Sequence, residues 1–147
     1  MTEPTIDVPL LRKVLEHVTA HRELHVQRFW LVDLAGARTS HDWNQVLEEE
    51  GKATCGTAGC LAGWTTLLAG YEPDVTLRRG FLQDYVERDG RIEFVEAVAR
   101  RELGLTLNQT TELFSPNNSL RDLWRLASEF TNGDVAVPPA VESGEVI

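Results

Sequence analysis

Two cysteines and four histidines are the side chains in this sequence best suited to nucleophilic, metal or redox chemistry. Cys55 and Cys60 bracket a Gly-rich run, Cys55-Gly56-Thr57-Ala58-Gly59-Cys60, at the predicted start of a helix. At a helix N-terminus the dipole and the unpaired amide N–H groups favour a thiolate. The same amides would form an oxyanion hole. A nucleophilic thiol also needs a base, and the candidates are His17, His21, His25 and His41; nothing in the sequence places one beside a cysteine. A metal is the second chemistry. His17, His21 and His25 recur at four-residue steps, and Cys55 and Cys60 with two of them, His17 and His21 being the candidates, would complete a tetrahedral zinc site. A Cys55–Cys60 disulfide would close only a short loop. The alternative is structural. Free cysteine packs as a small hydrophobe, with Gly56 and Gly59 serving a tight turn into the helix and Thr57 capping it. No catalytic, cofactor or metal site is therefore assigned. Cys55, Gly56, Thr57, Cys60, Gly63 and Trp64 form a motif whose default role is structural.

The elements around this motif read as mostly helical. Asp7 caps a helix over about 9–21 with an apolar stripe of Leu10, Leu11, Val14, Leu15 and Val18. The run from His25 to Leu34 is rich in β-branched and aromatic residues and predicts a short strand or an irregular buried segment. Ser40 or Asp42 starts a short helix carrying Trp43, Val46 and Leu47, stopped by Gly51. The spacing then predicts a central helix over about 58–69, with Thr57 as its cap and Gly70 at its stop. That helix has no charged side chain, so it belongs in the core. Gly59 and Gly63 would share one of its faces and admit another backbone. Asp89-Gly90 predicts a type I′ hairpin turn within residues 84–95. A helix follows from Val95 to Leu103. Thr106 caps another to Phe114, and Ser119 caps a last one bearing Leu120, Leu123, Trp124, Ala127 and Phe130. Trp30, Trp43, Trp64 and Trp124 are core residues by default. The fold class is mainly α (α+β): one helical domain over 1–133 around a buried central helix, with one small β-hairpin. Residues 134–147, with Pro138 and Pro139 and scattered acids, predict a flexible tail.

Composition excludes several function classes. The chain has 147 residues, 23 acidic and 14 basic, for a formal net charge of -9. Such a surface repels phosphates, so direct nucleic-acid binding is not expected. It suits solubility or docking onto a basic protein. Mimicry of DNA would need rows of carboxylates, and the only run is Glu48-Glu49-Glu50. The most apolar window, Cys60 to Ala69, is far shorter than the ~20 residues of a membrane span. The N-terminal residues lack the pattern of a signal peptide. Two cysteines suit a reducing cytoplasm better than a disulfide scaffold. Phosphate-cradling loops with Lys, Gly-x-Ser-x-Gly elbows and His-Glu-x-x-His motifs are absent from the sequence.

The run Cys55-Gly56-Thr57-x-x-Cys60-x-Ala62-Gly63-Trp64, with Leu68-Ala69-Gly70 after it, resembles a family of small uncharacterised proteins of actinobacteria and of their bacteriophages and prophages. The Leu11-Arg12-Lys13-Val14-Leu15-x-His17 helix, the Asp89-Gly90 hairpin and Leu103-Gly104-Leu105-Thr106 carry the resemblance across most of 10–130. The stretch from Leu31 to Lys52 is longer than in that family. Cys-Gly-Thr-Ala-Gly-Cys is also loosely similar to the start of the nucleophile helix in papain-type hydrolases, without the rest of their pattern. The first resemblance implies an origin and a cellular setting and supplies no reaction. The expected function is a non-enzymatic accessory protein of a phage or mobile element, binding a host or phage protein in the bacterial cytoplasm. The alternative is a thiol-dependent enzyme, or a small-molecule or metal-binding protein, using the Cys55/Cys60 helix start. No cofactor is assigned, and the oligomeric state is open.

Overall fold

The computed structural model describes residues 5–77 and 80–145. The first four residues, on which the signal-peptide reading partly rests, and the last two residues of the expected tail lie outside the described residues. Helix α1 (Val8–Ala20) starts where the Asp7 carboxylate accepts from the Leu10 amide at 3.0 Å. It buries Leu11, Val14, Leu15 and Val18 of the predicted stripe and leaves Leu10 only partly buried. A single 3-10 turn (Arg22–Leu24) leads toward strand β1 (Leu31–Asp33), then to helices α2 (Leu34–Ala37) and α3 (His41–Glu49). Strand β2 (Thr57–Gly59) precedes helix α4 (Leu61–Leu68). Strands β3 (Glu72–Pro73), β4 (Tyr85–Arg88) and β5 (Arg91–Phe94) form an antiparallel sheet. Helices α5 (Val95–Leu103), α6 (Leu107–Leu113), α7 (Leu120–Phe130) and α8 (Pro139–Glu142) complete the described chain. The result is a mainly helical α+β domain. No helix of the described residues is long and apolar enough to cross a membrane.

Local chemistry explains most boundaries. Asp89 and Gly90 hold φ of 53° and 79°, as a type I′ turn requires, and Arg88 pairs with Arg91 across it. Thr106 with Gln109, and Ser119 with Asp122, form reciprocal capping boxes at α6 and α7.

The start of α4 differs from expectation. Thr57 is not a cap, and Ala58 and Gly59 are not helical: all three lie in β2, paired antiparallel with Leu31–Asp33. The helix begins only at Leu61, with Cys60 as the residue before its first turn. Pairing wins because this stretch satisfies its backbone across the chain: Cys60 N donates to Phe29 O at 2.8 Å and Val26 N to Gly59 O at 2.9 Å. Gly59 and Gly63 therefore do not share a helix face, yet both press on one group. A Cβ on Gly59 would lie 2.4 Å from the Trp30 carbonyl oxygen, and one on Gly63 would lie 1.8 Å from it. The close backbone approach expected of these glycines is present, made by the chain just before β1.

Strand alternation divides the interior. Leu31 belongs to the main core, with Cys60, Leu61, Trp64, Val98, Leu103 and Leu123. Val32 and Ala58 turn the other way, into a smaller cluster with Val26, Leu34, Ala37 and Leu47. Helix α4 is the centre, buried from Leu61 to Thr66 and packed against α1 and α5. Its two threonine hydroxyls bond back to the carbonyls of Leu61 and Gly63, so the helix carries no unsatisfied polar side chain into the core. Trp64 and Trp124 are buried as expected, whereas Trp30 and Trp43 are only partly covered. The segment after Gly133 does not hang free as composition suggests. Val135 and Val141 are buried in the main core, Arg12 donates to Asp134 O, and Arg121 reaches Val141 O and Glu142 O.

Candidate functional site

The two cysteines are free and occupy opposite environments, Cys55 exposed on a loop and Cys60 buried. The Cys60 thiol donates to the Trp30 carbonyl at 3.8 Å. Burial pushes its pKa up to about 11, outweighing the backbone N–H groups of Gly63 and Ala62 that favour a thiolate. The activation that a helix start can give a thiol finds no support at Cys60: the dipole is present, but the sulfur is buried and faces a carbonyl oxygen.

The histidines scatter. His17 stacks between His21, at 4.6 Å between ring centroids, and Trp64, at 4.5 Å. Its Nε2 is buried without a hydrogen-bond partner. Burial first, then the neighbouring His21, lowers its pKa. His21 faces Glu23 at 3.6 Å, and His41 is exposed on α3. Among the described residues no three His, Cys, Asp or Glu side chains converge as a metal cage requires. Cys55, Cys60, His17 and His21 do not form one cluster.

What the fold does assemble is centred on His25, a residue the sequence offered as one base among four and one of three histidines at metal-ligand spacing. His25 is buried, and Arg22 Nη1 lies 3.1 Å from its Nδ1. A guanidinium only donates, so Nδ1 must accept, and Nε2 carries the proton that is donated to Gln27 Oε1 at 2.9 Å. Gln27 Oε1 also accepts from the Leu61 amide at 3.3 Å, and its Nε2 donates to Ser115 O at 3.1 Å. One neutral relay thus ties the 3-10 turn, the start of α4 and the loop before α7. Lys52 closes the same corner by donating to Arg22 O at 2.9 Å.

These residues wall a cleft of about 460 Å³. Arg22, His25, Gln27, Arg28, Glu50 and Lys52 form one side; Pro116, Asn117, Asn118 and Ser119 form the other. Arg28 is neutralised by Glu50 at 2.6 Å. Among the described residues Arg22 and Lys52 have no carboxylate within ion-pair distance. Burial lowers the pKa of both; at Lys52 the Arg22 and Arg28 cations act in the same direction, while Glu50 and Glu23 oppose them. A smaller recess of about 150 Å³ opens off the cleft, lined by Phe29, Trp30, Cys60 and Phe114, and shares Gln27, Arg28 and Pro116 with it. No spacing in the sequence announces this site, since its walls come from residues 22–30, 50–60 and 114–120.

Burial, first of all, lowers the His25 pKa to about 4, with Arg22 and Lys52 acting in the same direction and Gln27 opposing. An unfolded histidine titrates near 6.5. Between those values the unfolded chain binds the proton and the folded chain does not, so this contribution to stability is complete above pH ~6.5 and is lost as pH falls toward 4. It amounts to at most about 3–4 kcal/mol, from ~2.5 pKa units at ~1.4 kcal/mol each. Urea unfolding at pH 7 and pH 4.5 should therefore show a steep drop for the wild type. His25→Gln should be weaker at pH 7 and show a shallower drop. Parallel drops in the two proteins would mean that His25 is not held neutral.

No protein-family model, no curated protein and no solved structure matches the chain.

Proposed function

We propose that this is a non-enzymatic binding protein and that the basic cleft beside α4 is the surface with which it binds. In the setting its motif suggests, it is an accessory protein of an actinobacterial phage or mobile element. It acts in the bacterial cytoplasm on a host or phage protein that presents an acidic segment. The observation that carries this reading is an electrostatic inversion. A chain of net charge -9 gathers Arg22, Arg28 and Lys52 around one cleft, whose described lining residues include one carboxylate, Glu50, with Glu23 acting on Lys52 from outside the lining. Two of those cations, Arg22 and Lys52, are half-buried with no carboxylate within ion-pair distance among the described residues, which is costly unless an external anion visits. Opposite charge focused in a concave site steers such a partner and fixes its register. The thiol-enzyme alternative has less support, because Cys60 faces a carbonyl rather than an imidazole and its pKa is raised.

The test is a charge reversal. Tagged wild type, the double variant R22E/K52E and a control, R91E, on the exposed turn of the β-hairpin are used to capture partners from an actinobacterial lysate, with capture repeated across a salt series. The wild type and R91E should retain the same protein, with retention falling as salt rises. R22E/K52E should lose at least about tenfold, the equivalent of ~1.4 kcal/mol. A specific partner held equally by all three proteins would place the binding surface elsewhere.

A further inference from the structure

The cleft and the recess beside it have complementary chemistries and share three residues, Gln27, Arg28 and Pro116. We infer that they form one two-part site for a peptide segment in which a carboxylate and an apolar side chain lie within one residue of each other, the carboxylate on Arg22 and Lys52 and the side chain in the recess. The inference rests on the cleft being the binding surface and adds what occupies it.

Size separates the two parts. Sites for whole small molecules usually span ~300–1,000 Å³. The cleft, at about 460 Å³, falls in that range. The recess, at about 150 Å³, is below it and suits a single side chain. Its walls say which kind. Phe29, Trp30, Phe114 and Pro116 are apolar, with the Trp30 and Phe114 rings edge-to-face at 6.4 Å. The Cys60 thiol is turned to the Trp30 carbonyl. The polar members are already engaged, Gln27 with His25, Leu61 and Ser115, and Arg28 with Glu50. A nucleobase or sugar entering here would bury donors and acceptors without partners, which is strongly disfavoured. An apolar side chain would leave nothing unpaired.

The far wall suits a peptide backbone. Asn118 uses its amide nitrogen on the carbonyls of Glu112 and Leu113, which leaves its side-chain oxygen to accept a peptide N–H. Successive Cα atoms of a bound segment are ~3.8 Å apart, so adjacent residues can place one group in each part of a continuous site.

The minimal ligand with both groups is N-acetyl-phenylalanine with a free carboxylate. It should titrate saturably in amide and indole correlation spectra, moving the Trp30 indole N–H together with the backbone amides of Cys60 and Leu61. N-acetyl-phenylalaninamide, which lacks the charge, should bind at least about fivefold more weakly. Acetate, which lacks the ring, should leave the Trp30 indole unmoved. R22E/K52E, checked for native dispersion in the same spectra, should lose the preference for the free carboxylate. Three results would overturn the inference: equal binding of the acid and the amide, tighter binding of AMP than of N-acetyl-phenylalanine with the Trp30 indole moving, or no shift at the cleft at 20-fold excess over ~1 mM protein. If lysate capture stays sensitive to R22E/K52E while these probes fail, the two-part chemistry is wrong and the binding surface stands. If both fail, the surface itself is wrong.

Discussion

Replacing Gly63 by Ala is expected to destabilise the protein by about 4 kcal/mol or more, close to the largest effect a single methyl group can have. In an exposed helix the same change would stabilise by up to ~1 kcal/mol, because Ala is the better helix former. The sign therefore tests the packing directly. A Cβ at Gly63 would stand 1.8 Å from the Trp30 carbonyl oxygen and 2.9 Å from its carbon. Both are backbone atoms, so no rotamer change relieves the clash. The two chains would have to separate by more than an ångström. That movement breaks the bonds beside the contact: Cys60 N to Phe29 O at 2.8 Å, Val26 N to Gly59 O at 2.9 Å, and the Leu31–Gly59 pairing of β1 with β2. The loss is set against a total stability of ~5–15 kcal/mol for a domain of this kind. Urea denaturation should show the midpoint lowered by a third or more, or a chain that no longer folds. Gly59→Ala should behave similarly, from its 2.4 Å approach to the same oxygen. Gly90→Ala, at an open turn position with φ of 79°, should lose only about 1 kcal/mol of backbone strain. A Gly63→Ala protein as stable as the wild type would mean that the Trp30 carbonyl does not rest on α4.

This contact also marks where sequence reading succeeds and where it stops. The caps of α1, α6 and α7, the type I′ turn and the buried stripes were legible, because each is settled by residues within one turn of chain. So was the demand for a close approach at Gly59 and Gly63. The identity of the approaching segment was not legible, because Trp30 lies 29 residues before Gly59 and 33 before Gly63. That misread the helix start. Thr57, Ala58 and Gly59 are small and uncharged, with no period of either kind, so local preference could not choose between a first helical turn and a strand of three residues. The tertiary partner chose. The packing of Val135 and Val141 was illegible for a related reason: they are single apolar residues with no periodic neighbours, and only the surface they meet gives them a role. The cleft was the least legible feature. Arg22 and Lys52 look like solvated charges in sequence, and with His25 they form a site only through the loop before α7 that walls the other side of the cleft. The cysteines drew attention by type and spacing, but burial decides their chemistry, and burial is a property of the fold.

Alkylation should divide the two cysteines by at least two orders of magnitude in rate. With iodoacetamide at pH 7.5 and intact-mass detection, folded protein should gain one adduct quickly, at exposed Cys55, and acquire the second only slowly. A free cysteine thiol, with a pKa near 8.5, is roughly a tenth thiolate at that pH. With its pKa pushed up to about 11, Cys60 is thiolate some 300-fold less often. Reagent access lowers the rate further, since the side chain is 1% exposed. Cys60 should then react only through local opening of the junction between β2 and α4, at a rate proportional to the open population. Any weakening of that junction should speed Cys60 and leave Cys55 unchanged. Where Gly63→Ala still folds, a loss of about 4 kcal/mol would raise the Cys60 rate by up to ~10³-fold, the equilibrium factor for that energy. The two measurements thus constrain each other: the urea shift predicts the alkylation shift through one opening equilibrium. A Cys60 that alkylates as fast as Cys55 in the folded wild type would instead identify an accessible, activated thiol at a helix start. It would restore the nucleophilic reading and make the recess lined by Trp30 and Phe114 a place for a substrate rather than for a partner's side chain.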